Sequence, residues 1–108
     1  MNIIFKEQLL RNQTLSSDEV GTFLFEGVNA SNEEVKVVKR TTSCGCTNVT
    51  HPKSIKPGES FIIQVSIDKR GQTGNFNQSV TLTFSNNEVV KLKVNGQIER
   101  SEHSEQSE

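Results

Sequence analysis

A two-residue alternation of apolar and polar side chains constrains this chain more than any other feature. In FIIQVSI (61–67), Phe61, Ile63, Val65 and Ile67 fall on one side, with Gln64 and Ser66 on the other. In FNQSVTLTF (76–84), Phe76, Val80, Leu82 and Phe84 oppose Asn77, Ser79, Thr81 and Thr83, and Gln78 intrudes on the apolar side. VVKLKVNGQI (89–98) sets Val90, Leu92, Val94 and Ile98 against Lys91 and Lys93. A side chain that reverses direction at every residue is strand geometry, and a strand with one buried face reads this way. Two earlier segments fit more loosely: GTFLFEGV (21–28) with Phe23 and Phe25 inward, and EVKVVKR (34–40) with Val35 and Val37 inward. NIIF (2–5) reads as an edge strand.

Turn residues punctuate these runs. VNASNEE (28–34) closes a loose hairpin, Asn86-Asn87 tolerates the left-handed backbone a tight turn needs, and Pro57-Gly58 opens the strand that follows. No helical pattern of useful length is present; FKEQLLRN (5–12) would make one turn at most. Roughly seven short strands at intervals of about ten residues predict an all-β fold, an antiparallel immunoglobulin-like β-sandwich. A small barrel would give similar patterning. The expected organisation is an N-terminal edge strand or arm over 1–19, the sandwich over 20–98 and an acidic Ser/Glu-rich tail over 99–108.

A chain of 108 residues can close one core, and an enzyme of this size would need its site in a surface cleft. The net charge of −1 conceals four Glu and one Arg in the last ten residues, which leaves residues 1–98 mildly basic. Lys36, Lys39, Arg40, Lys53, Lys56, Lys91 and Lys93 are candidates for a basic face, yet there is no Trp or Tyr to interleave with them. The Phe residues fall on core-facing positions, so the stacking platform of a single-strand binder is missing. The expected role of these cations is a solvated face that blunts exposed strands, with no nucleic-acid partner. No apolar run is long enough to span a bilayer, so no membrane partner is expected. Asp68 and Glu59 form no evident acid–base pair.

Cys44 and Cys46 are the only cysteines, with Gly45 between them and His51 five residues on. In an extended strand they would share a face with Cα atoms roughly 6.5–7 Å apart, at or past the span of an unstrained disulfide. A bond between them requires the backbone to bend, which Gly45 permits. Cys44, Cys46 and His51 give three metal ligands at most, where structural zinc takes four. Cysteine nucleophiles need a base and a group to orient it, and nothing in the spacing brings His51 to either sulfur. The expectation is of buried or half-buried thiols acting as small apolar side chains, with no metal, no cofactor and no catalytic residue.

The stretch TTSCGCTNVTHPKSIKPGESFIIQVSID (41–68), followed by GNFNQSVTLTFSNN (74–87) and VVKLKVNGQI (89–98), resembles the bacterial immunoglobulin-like family with an SCGCT signature, domain of unknown function 1573. That family is similar in turn to PapD-like and major-sperm-protein-like sandwiches. The matching positions are Phe23, Phe25 and Asn29, then Ser43, Cys44, Gly45, Cys46 and Thr47. Pro57, Gly58 and Glu59 follow, then Gly74 and Phe76, and finally Leu92, Val94 and Gly96. The resemblance implies the sandwich fold over about residues 20–98. It carries over no active-site residue, because the family has no established catalytic activity.

Many family members carry a signal sequence, whereas MNIIFKEQLLRNQ at the start of this chain lacks that layout. The product is expected in the cytoplasm or in a virion assembled there, where thiols stay reduced. The expected function is therefore a non-enzymatic structural or interaction module, most concretely a phage virion component such as an auxiliary or decoration protein of the capsid. Its partners would be other subunits of an assembly, met through edge strands and loops. The alternatives are a Cys-x-Cys redox or metal-binding module using Cys44, Cys46 and His51, and a cytoplasmic adaptor or chaperone-like domain that binds peptides by strand addition.

Overall fold

Each alternating segment becomes a strand whose apolar side turns inward. In the computed structural model, which describes residues 2–100, the strands are β1 (Ile3–Phe5), β2 (Leu9–Ser16), β3 (Gly21–Asn29), β4 (Val37–Thr42), β5 (Thr47–Thr50), β6 (Ser60–Ile67), β7 (Gly74–Phe84) and β8 (Val89–Glu99). They form two four-stranded sheets, a first in the order β1-β3-β6-β5 and a second in the order β2-β8-β7-β4. Every pairing is antiparallel except β2 with β8. The all-β immunoglobulin-like sandwich expected from the sequence is the observed fold. His103 and residues 101–108 of the acidic tail lie outside the described residues.

Within the segment 1–19, β1 joins the first sheet and β2 the second, so the chain changes sheets between Phe5 and Leu9. The segment 5–12, which offered at most one helical turn, instead runs into β2; β2 and β5 are the two strands that the alternating segments did not name. For β2 the reason is local: the register against β8 shifts between Leu10 and Gln13, and Asn12 sits at φ 57°. This bulge lets Leu10 and Leu15 both face the core although they are an odd number of residues apart. Gly96 makes the bulge possible, since a Cβ there would lie 1.8 Å from the Gln13 carbonyl oxygen.

The core is one layer of side chains between the sheets. Phe61 packs edge-on against Phe5 in its own sheet at 5.4 Å between ring centroids, and against Phe84 in the facing sheet at 6.4 Å. Phe23 and Phe76 make a second aromatic link between the sheets at 6.2 Å. Ile63, Ile67, Leu82 and Phe84 are fully buried, as their phase requires. Val35 is buried too, bridged to Ile55 by backbone hydrogen bonds in both directions, while Val37 is only partly covered.

Candidate functional site

The SCGCT signature forms the corner at which the chain leaves the second sheet, at the end of β4, and enters the first at β5. Ser43 ties the corner to β7: its N–H donates to the Ser79 carbonyl, and its hydroxyl donates to Gln78 Oε1 while accepting the Ser79 N–H. Gln78, the residue that broke the alternation, is buried so that it can accept this bond. The Thr42 hydroxyl and the Thr47 N–H both donate to the Cys44 carbonyl, and the Asp68 N–H donates to the Cys46 carbonyl at the end of β6.

The expected free thiols are not found: Cys44 and Cys46 are joined to each other by a disulfide, both half-buried. Residues 43–46 turn instead of extending, which brings the two Cα atoms to 5.2 Å, within disulfide range. A ring closed over three residues restrains the unfolded chain by only about 1.5 kcal/mol. The Cys46 N–H points at Cys44 Sγ at 3.1 Å, and Cys46 Sγ lies 3.8 Å from the Thr47 hydroxyl. A Cβ on Gly45 would meet nothing within 4 Å, so the ring is open from outside.

His51 does not join the cysteines. Its Nδ1 is 2.9 Å from the Pro52 carbonyl, so this nitrogen carries the hydrogen, and Nε2 accepts from Arg40 Nη1 at 3.0 Å. With both sulfurs in one bond and the imidazole lone pair engaged, these three residues do not make a ligand set. Among the described residues no group of three or more His, Cys, Asp or Glu side chains is placed to hold a metal ion.

Asp68, beside the same corner, receives two parallel hydrogen bonds from Arg70, from Nε at 2.9 Å and from Nη2 at 2.8 Å. These bonds, with the Arg70 N–H adding to them, hold the Asp68 carboxyl at about 2 instead of 3.8. The Glu59 carboxylate accepts the Lys56 N–H at 2.8 Å. It closes a type II turn in which Pro57 fixes the first bend and Gly58 takes φ +76°.

Asn29 is the residue whose role the sequence did not disclose. Fully buried, it donates from Nδ2 to the carbonyls of Glu33, Ile55 and Lys56, and accepts at Oδ1 from the Ser31 N–H and hydroxyl. Its own carbonyl takes the Gly58 N–H. The Phe-x-Phe…Asn and Pro-Gly-Glu motifs are thus two halves of one hydrogen-bonded knot.

The outer faces of the two sheets differ in chemistry. Lys39, Lys91 and Lys93 share the outward side of the second sheet, with Thr41, Thr81 and Thr83 between them. The other four candidate cations lie in loops or at the β4 edge, so the expected basic face is only partly assembled. The second sheet's outward side also exposes Val89, but the first sheet exposes three apolar side chains together, Ile4 (50%), Leu24 (55%) and Ile62 (52%). Ile4 faces Val28 across β1 and β3, and Ile62 faces Glu26 across β3 and β6, with Leu24 and Val28 diagonal to it. Glu26 carries its own counter-charge, Lys6 at 3.2 Å. The signal was present in the sequence as the apolar triplets IIF, FLF and FII, whose middle residue lies in the polar phase.

The profile of the family described as Protein of unknown function (DUF1573) matches residues 3–98. No curated protein matches the chain. Among solved structures, the ASH/PapD-like domain 7 of human CEP192 is similar at TM-score 0.75 and 12% identity, with 94% of this chain and 87% of that one covered. A protein of unknown function from Porphyromonas gingivalis W83 is similar at TM-score 0.70 and 14% identity, over 88% of this chain and 46% of that one. The Vibrio cholerae VesB protease is similar at TM-score 0.61 and 14% identity, over 93% of this chain but only 32% of the protease. At these identities the likeness is one of fold.

Proposed function

This chain belongs to the DUF1573 family, and from that premise we propose that it is a non-enzymatic structural module that assembles with a second copy of itself through the outer face of its first sheet. The observation that carries the reading is the contiguous apolar patch of Ile4, Leu24, Val28 and Ile62, with the Lys6–Glu26 pair beside it. Two second-sheet faces would oppose lysine to lysine. Two first-sheet faces would bury apolar area, and around a two-fold axis the Lys6 of each copy could meet the Glu26 of the other. A stable contact of this kind covers about 800 Å² per partner.

Three of the four sheet edges suit this role less well, because side chains already take N–H groups there. The Glu88 carboxylate accepts the N–H groups of Asn2 and Ile3 at β1, and Asn48 Oδ1 accepts the Val49 N–H at β5. Beside β4 the Ser85 hydroxyl takes the Lys36 N–H. Strand addition at those edges, the route of a chaperone-like adaptor, would have to displace these groups. The most specific form of the reading is a phage capsid subunit of the decoration or auxiliary kind. Mass spectrometry of native particles tests that form, and its failure would leave self-association standing. Sedimentation equilibrium tests the reading itself. The chain should self-associate, and Leu24→Glu with Ile62→Lys should return it to monomer. A wild-type chain that stays monomeric at millimolar concentration, or association that survives both substitutions, would overturn it.

A further inference from the structure

We propose that Cys44–Cys46 is an exchangeable disulfide, a two-electron thiol–disulfide exchange site for a protein dithiol, with Cys46 as the sulfur attacked and Cys44 as the one that leaves. Three observations carry this. First, the bond is not needed to hold its corner, which is already fixed by hydrogen bonds from Thr42, Thr47 and Asp68 and by the Ser43 contacts to Gln78 and Ser79. A link between residues this close also constrains the unfolded chain least.

Second, the ring is accessible. Both cysteines are half-buried, nothing overhangs Gly45, and a shallow cleft of about 510 Å³ lined by Val20, Gly45, Cys46, Asn48, Ser66 and Asp68 leads to Cys46 and not to Cys44. Third, the two sulfurs are unlike. The Cys46 N–H, 3.1 Å from Cys44 Sγ, favours negative charge on Cys44, and a stabilised thiolate is the better leaving group.

A thiolate of the dithiol bonds to Cys46 Sγ, the Cys44–Cys46 bond breaks, and its electron pair leaves on Cys44 Sγ. The second thiolate of the dithiol then attacks its own sulfur in the mixed disulfide and releases Cys46. The two protons given up by the dithiol pass to Cys44 and Cys46; the dithiol is oxidised to a disulfide and the chain is reduced.

The test uses the full chain in native buffer, with reduced thioredoxin as the protein dithiol and, as the trapping probe, thioredoxin whose second cysteine is replaced by serine. Alkylation and mass measurement should show reduction without denaturant, and the melting temperature of the reduced chain should stay within about 7 °C of the oxidised one. The trapped mixed disulfide should sit on Cys46 and leave Cys44 open to alkylation, by at least about ten to one. Reduction that requires unfolding, a reduced chain that melts far lower, or a mixed disulfide shared equally between Cys44 and Cys46 would each overturn the proposal. None of these outcomes bears on self-association, so the two readings fail separately.

Discussion

Asn29 holds together two loops that also meet at the Val35–Ile55 bridge. Replacing it with Ala would take one donor from each of the carbonyls of Glu33, Ile55 and Lys56, which would keep the Ser31 hydroxyl, the Val35 N–H and the Glu59 N–H respectively. The expected loss is about 1–3 kcal/mol in urea unfolding. Asn29→Asp should cost more, since a carboxylate would then face three carbonyl oxygens. Phe84 is a different case, a fully buried ring at the contact between sheets. Phe84→Ala is expected to cost about 3–5 kcal/mol by emptying that position. Asp68 makes a pH prediction. Its folded value of about 2 lies below the ordinary 3.8, so ionised Asp68 binds Arg70 and favours the folded state above the ordinary value. That contribution falls away as pH drops from 3.8 through about 2. An NMR titration of the carboxyl should place its midpoint near 2, and a midpoint near 3.8 would mean that the pair with Arg70 does not form in solution.

At the scale of elements, the parallel pairing of β2 with β8 depends on a single glycine. A Cβ at Gly96 would collide with backbone and not with a flexible side chain, so the strand itself must move. Gly96→Ala should detach β2 selectively. Hydrogen exchange at Leu10 to Leu15 would rise while the β7–β8 hairpin stays protected. Uniform loss of protection across both sheets would show instead that β2 is integral to the cooperative unit. The closing Leu92-x-Val94-x-Gly96 motif therefore combines two inward side chains with a point of close backbone approach. The strands themselves were largely readable from the sequence, because β3, β6, β7 and β8 each bury one face and show it by alternation. β2 was not readable, because a bulge reverses the phase halfway along it.

At the scale of the whole molecule, one outer face of the sandwich bears lysines and the other bears an apolar patch set among polar residues. This asymmetry gives the proposed assembly its direction. A further consequence concerns salt. Association through the first sheet buries apolar side chains and should weaken little as ionic strength rises, because only the Lys6–Glu26 charges are screened. Sedimentation at low and at molar salt would check this; steep loss of association with salt would place the contact on charged residues elsewhere.

The sequence by itself determined the sandwich, its inward residues and its family signature, because strand periodicity and turn chemistry are local properties written a few residues at a time. It did not determine what the signature residues do. The bend that joins Cys44 to Cys46 depends on Ser79, Gln78 and Asp68, which are distant in the chain. The Asn29 knot likewise needs the 55–58 segment brought alongside. The apolar outer face exists only once Ile4, Leu24 and Ile62 lie on neighbouring strands. Those are facts of register between segments, and register is decided when the sheets pair and pack, not by any one strand.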